Sequence, residues 1–292
     1  VIATSTLVEV TTTTSDLFRR APDRYLGAVA HRVVGTGPDV LFVHGWPVSG
    51  ATFRHLLPHL ADHVTCHVID LPGAGSSRFG ADTVVTVEQH IETVRRVIDL
   101  LELDDVAVVG HDSGGLIARH AVAGDPRLRS MGLIDTELPQ GLSRRFEMFL
   151  AVRRMPGLAA GLGWVAGQPR VRRIGLVFGD AFADRSLLDG EFDEFFLEPL
   201  HSSPERRDAA VRLLRSFDTQ HVHDLAKVHE RIDVPVQLVW GDQDPFFPVE
   251  QAREMVDTFP DARLEVIEGV GLFCHEERPA EVARALLPTL VG

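Results

Sequence analysis

One short stretch constrains this chain more than any other: Val108-Val109-Gly110-His111-Asp112-Ser113-Gly114-Gly115. An apolar run enters a glycine-rich turn, and a helical pattern over Ser113–Ala123 follows at once. A strand that turns directly into a helix brings two backbones too close for a Cβ at the flanking positions. The glycines stand two before, two after and three after Asp112, so Asp112 takes the apex. With Ser113 at the apex, the position two before is His111, which is bulky where a small residue is required. The apex residue is pushed out over the end of the sheet, where open α/β folds bind ligands. The bland alternative is a glycine-rich loop that caps a helix through Asp112.

The flanking chain has the rhythm that such a turn needs. Val40–His44, Cys66–Leu71, Val106–Gly110, Ser130–Asp135, Val234–Gly241 and Arg263–Glu268 read as strands. Val84–Leu103 has apolar residues every three or four positions, and Glu276–Leu287 reads as a closing helix. Strand–helix alternation implies right-handed crossovers and a mostly parallel, doubly wound sheet covered on both faces. From Pro139 to Asp224 the rhythm breaks. Helical stretches such as Arg144–Arg154 and Pro204–Phe217 are cut by prolines and glycines, with no convincing strand. The chain therefore divides into an N-terminal arm (1–22), an α/β core (23–138 and 225–292) and an inserted helical lid (139–224). The lid arginines from Arg144 to Arg173 read as a solvated helix surface, with an anion-attracting face as the sharper alternative.

Composition narrows the partners. A net charge of −13 repels a phosphate backbone, so nucleic acid is not an expected partner. No apolar run reaches the ~20 residues that span a bilayer. Cys66 and Cys274 are too few for a disulfide framework, and the first residues do not read as a signal peptide, which suits a reducing, cytoplasmic setting. No metal-ligand spacing, P-loop or dinucleotide fingerprint is present, so no cofactor is implied and a small-molecule substrate is expected.

An aspartate at the apex suits attack on an electrophilic sp³ carbon, such as an epoxide or alkyl halide, to form an enzyme ester. Water then hydrolyses that ester at the aspartate carbonyl, and the oxyanion needs two donors. The N–H of Ser113 is one candidate, and the N–H of Trp46, in the His44-Gly45-Trp46-Pro47 turn, is the other.

At these residues the chain resembles the α/β-hydrolase fold, and within it the branch of epoxide hydrolases and haloalkane or haloacetate dehalogenases. The H-G-x-P turn is matched by His44–Pro47 and the aspartate elbow by Gly110–Gly115. Asp70–Ser76 resembles the structural turn after the fourth strand, and Trp240–Asp244 the turn that supplies the acid. The resemblance implies Asp112 as nucleophile and Asp244 as the acid that orients a histidine. Asp135, at the end of another strand, is the alternative acid.

The resemblance fails at the base. The family's histidine follows the last strand in a G-x-G-H-F pattern, but here Gly269-Val270-Gly271 leads to Leu272, and His275 lies three residues on. Leucine accepts no proton, so turnover is blocked unless other chemistry intervenes. The lid tyrosines that protonate an epoxide oxygen are also missing, since the single tyrosine is Tyr25. His201, His221 and His223 are weak stand-ins. The tryptophan that holds a halide just after the nucleophile is replaced by Ser113, leaving Trp46 and Trp164 as indole donors, with Phe246 and Phe247 as further lining residues. The expected function is epoxide opening through an aspartyl ester. Carbon–halogen hydrolysis, a non-hydrolytic ligand-binding role and ester hydrolysis through Ser113 are the alternatives.

Overall fold

A computed structural model describes residues 13–292. Its centre is an eight-stranded sheet in the order β1-β2-β4-β3-β5-β6-β7-β8. The strands are β1 (Arg24–Leu26), β2 (Val29–Gly35), β3 (Asp39–Val43), β4 (Thr65–Asp70), β5 (Val106–His111), β6 (Leu128–Ile134), β7 (Val236–Gly241) and β8 (Ala262–Ile267). From β4 to β8 every pairing is parallel, while β2 runs antiparallel to both β1 and β4. The central strands are apolar on both faces because helices cover both, as a parallel sheet requires.

The first two strands escape sequence reading for a physical reason. In β2 the buried residues His31 and Arg32 are polar, which breaks the apolar pattern. Arg32 is buried because it pairs with Asp70 at 3.2 Å, and His31 because its ring stacks on His67. Of the described residues of the N-terminal arm, α1 (Thr14–Arg19) is a helix with a Thr13–Asp16 capping box, and Phe18 is buried against the core. Residues 1–12 lie outside the described part.

Helix α2 (Val87–Leu101) buries Val87, Ile91, Val94 and Ile98 in the pattern its spacing predicts. Helix α3 (Ser113–Val122) leaves the sheet directly after β5. Between β6 and β7 the chain forms helical segments, including α4 (Arg144–Ala151), α5 (Leu158–Ala166) and the helix Pro204–Ser216. The segment is held by its own ion pairs: Arg145 with Asp180, and Arg172 with Asp189 and Asp193. Arg145, Arg172 and Arg173 of the lid arginines are thus paired with carboxylates.

Candidate active site

The site forms where β5 turns into α3. Asp112 has φ 51° and ψ −137°, a conformation that costs on the order of 1–3 kcal/mol for a residue with a side chain. The surrounding packing enforces it. A Cβ on Gly110 would lie 2.6 Å from the Cα of Gly115, and one on Gly114 would strike the carbonyl oxygens of Val43 and His44. The Asp112 register of the turn is thus the one adopted.

Asp112 is almost fully buried, and its Oδ2 accepts the Trp46 N–H at 2.7 Å. The N–H of Ser113, next in the chain, favours the charged form of the same carboxyl group. Both donors anticipated for an oxyanion therefore converge on Asp112. The turn bearing Trp46 is fixed by His44. Leu71 N–H donates to His44 Nε2 at 2.9 Å, so His44 Nδ1 carries the proton and donates to Gly45 O, also at 2.9 Å. Asp70 braces the neighbouring turn by accepting from Gly50 N and Ser76 N.

Burial pushes the Asp112 carboxyl well above the ordinary carboxylate range, and repulsion from Glu137 adds to it. The N–H groups of Ser113 and Trp46 oppose that rise. Glu137 is buried on the segment after β6 and is itself raised by desolvation, against the pull of Arg119. Thr136 Oγ1 links the two acidic residues, lying 2.8 Å from the Asp112 carbonyl and 2.9 Å from Glu137 Oε2. Arg119, fully buried, donates to Thr136 Oγ1 and to the Glu137 carbonyl. Sequence reading missed Glu137, because no motif marks a carboxylate three residues past a strand end.

The cavity above Asp112 encloses about 770 Å³ of space free of protein atoms, open mouth included. Trp46, Ser113 and Glu137 line it together with Leu272, and Phe246 and Phe247 close one side. Phe146, Phe149 and Phe217 from the helical segment complete an aromatic wall. Trp46, Phe246 and Phe247, named from the sequence as lining, border this cavity. Trp164 is not part of it: on α5 its ring is 58% exposed and faces away from the cavity. The indole of Trp46 is also spoken for, since Nε1–H donates to Ala210 O at 2.9 Å. His201 and His221 bond to backbone carbonyls, and neither they nor His223 line the cavity.

Leu272 occupies the wall of the cavity, and its carbonyl accepts from His111 Nε2 at 3.0 Å. His111 thus anchors the loop that carries Leu272, from the side opposite the cavity. His275 is turned away as well. Its Nε2 lies 2.8 Å from Thr52 Oγ1, and burial holds the ring well below the ordinary histidine range. It does not replace the base.

Both acid candidates are buried in the loops after β6 and β7. Asp244 Oδ1 accepts from Phe246 N and Phe247 N, and Asp135 Oδ1 accepts from Gly241 N. Oδ2 of each is buried without a partner among the described residues. Burial drives both well above the ordinary carboxylate range, and Asp135 raises Asp244 further. Cys274 lies beside Asp135 and is itself pushed up by desolvation, so it is a packed thiol and not a reactive one. Asp242 is a turn residue, accepting from Gly269 N. Among the described residues no group of three or more His, Cys, Asp or Glu is placed to hold a metal ion, and no helix is long and apolar enough to cross a membrane.

Comparison with known proteins agrees with this layout. The model of the Alpha/beta hydrolase family matches residues 40–285. Pimeloyl-[acyl-carrier protein] methyl ester esterase of Chromobacterium violaceum is 29% identical over 239 residues, 79% of this chain and 85% of that protein. The haloalkane dehalogenase DbeA from Bradyrhizobium elkani USDA94 superposes with a TM-score of 0.74 at 22% identity, covering 92% of this chain and 96% of that one. An epoxide hydrolase, CorEH, superposes with a TM-score of 0.71 at 21% identity, covering 89% and 94%. At such identities the two solved structures speak for the fold alone. With a family match that runs from β3 into the last helix, across the elbow and both acid-bearing turns, the chain belongs to the alpha/beta hydrolase family.

Proposed function

We propose that Asp112 opens an epoxide on an apolar, ring-bearing small molecule and so becomes esterified. The observation that carries this reading is the Asp112 carboxyl group itself, set at a strained elbow with the Trp46 and Ser113 N–H groups aimed at it. These donors would hold the oxygen on which charge develops when water attacks the ester. The aromatic wall supplies apolar contact for the rest of the substrate. The helical segment between β6 and β7 serves as the lid.

Epoxide opening fits better than carbon–halogen cleavage, because a departing halide needs N–H donors. The Trp46 indole already bonds Ala210, and Ser113 stands where a second indole would be needed. Ester hydrolysis through Ser113 has weaker support. Its hydroxyl is 3.4 Å from Asp112 Oδ2, and no histidine lines the cavity to deprotonate it.

The second half-reaction is impaired at Leu272. A histidine there would sit in the cavity wall, and Asp244 and Asp135 are its candidate carboxyl partners. Leu272→His is therefore expected to raise steady-state epoxide turnover by about 100-fold or more, read as diol formed from a panel of aryl and alkyl epoxides. No diol from Leu272→His with any of them, while its fold is intact, would count against the reading and favour a member that binds without hydrolysing.

A further inference from the structure

An epoxide oxygen leaves as an alkoxide and needs a proton, yet the lid offers no tyrosine and no histidine to the cavity. Glu137 is the one other carboxyl group on the cavity wall beside Asp112. Its side chain is 1% exposed. One oxygen, Oε2, is engaged by Thr136, and the other, Oε1, has no partner among the described residues. An acceptor-only oxygen buried without a partner is costly, whereas a protonated one with a proton to donate is not.

We infer that Glu137 is the proton donor for ring opening, an inference that rests on the proposed esterification of Asp112. In the step, an Asp112 carboxylate oxygen forms a bond to an epoxide carbon. The ring C–O bond breaks, its electron pair goes to the ring oxygen, and that oxygen takes the proton from Glu137. The products are a hydroxyalkyl ester on Asp112 and a Glu137 carboxylate.

Charge accounting favours this division of roles. Two carboxylates in one apolar cavity do not both ionise, so the pair holds one proton. For this step the proton sits on Glu137, whose Oε1 has no partner among the described residues, and the charge on Asp112, whose Oδ2 accepts the Trp46 N–H. The reaction then moves one negative charge from Asp112, which becomes a neutral ester, to Glu137. The net charge of the pair is unchanged throughout. The other charged group facing Glu137 is Arg119, held at its carbonyl and at Thr136, which steadies the carboxylate once formed. The arrangement also makes the site selective, because a halide leaves without a proton and gains nothing from Glu137.

The test compares wild type with Glu137→Gln, using styrene oxide and phenacyl bromide as probes of similar size. The readout is the rate at which a mass adduct forms on Asp112. Glu137→Gln is expected to slow labelling by styrene oxide about 100-fold or more while changing labelling by phenacyl bromide less than about threefold. Glu137→Asp, which keeps the acid on a shorter arm, should recover part of the epoxide rate. Equal rates with both probes in Glu137→Gln and wild type would overturn the inference, as would an equal slowing of both, which marks a structural role. Wild type that labels Asp112 with neither probe would instead sink the underlying reading and the inference with it.

Discussion

At the scale of single residues, the site trades stability for a buried, poorly solvated carboxyl group. Asp112 is raised by desolvation and by Glu137, so the folded chain binds a proton there more tightly than the unfolded chain does. Above the ordinary carboxylate pKa that difference costs stability, and below it the cost vanishes. Asp112→Asn removes the charge, keeps an oxygen for the Trp46 N–H, and places at φ 51° a residue that tolerates positive φ well. It is expected to abolish epoxide labelling and yet melt higher at pH 8, by about 2–4 °C for each kcal/mol recovered. A differential melt at pH 8 and pH 4 checks this, with the gain confined to the higher pH. Residues of this kind were unequally legible. Asp112 and Leu272 declare themselves because glycine spacing fixes the position of each in its loop. Glu137 stays hidden, since only the path of the chain after β6 brings it over the elbow, and Trp164 misleads because nothing in its sequence tells which face of α5 meets the cavity.

At the scale of elements, strand ends are where the charge is concentrated. The loops after β6 and β7 bring Asp135 and Asp244 close to each other, each with an oxygen that has no partner among the described residues. In the presence of a histidine these carboxylates would orient its ring; without one they only repel each other. Asp244→Asn keeps an acceptor for the Phe246 and Phe247 N–H groups and offers an amide donor to Asp135. Because Asp244 is raised in the folded chain, its burden grows as pH climbs above the ordinary carboxylate range. The expected outcome is a higher midpoint in urea at pH 7.5 with no gain at pH 4, and labelling of Asp112 unchanged. A lower midpoint at both values would mean that Asp244 is a net stabiliser. Elements themselves were read well where burial is apolar, as in β3 to β7, α2 and α3. They were missed where buried polar residues replace that signal, as with His31 and Arg32 in β2.

At the scale of the whole molecule, the helical segment is tied to the core by polar contacts around the cavity. The Trp46 indole holds Ala210, and Arg54 joins Glu191 of the segment to buried Glu276. Arg19 of α1 reaches Glu191 and Glu194, so the N-terminal helix clamps the same region. Breaking a pair such as Arg54–Glu276 from one side would leave a carboxylate buried alone, which is strongly destabilising. This organisation was visible in sequence only as a break in the strand–helix rhythm; the clamps depend on residues more than a hundred positions apart. The account as a whole rests on a covalent bond at one atom. Intact-protein mass after incubation with aryl and alkyl epoxides, followed by peptide mapping, tests it most directly. The expected result is a stable increase equal to the epoxide's mass, located on Asp112 and absent from Asp112→Asn. A mass that stays unchanged in the wild-type chain and in Leu272→His alike, or an adduct on any residue other than Asp112, would contradict it.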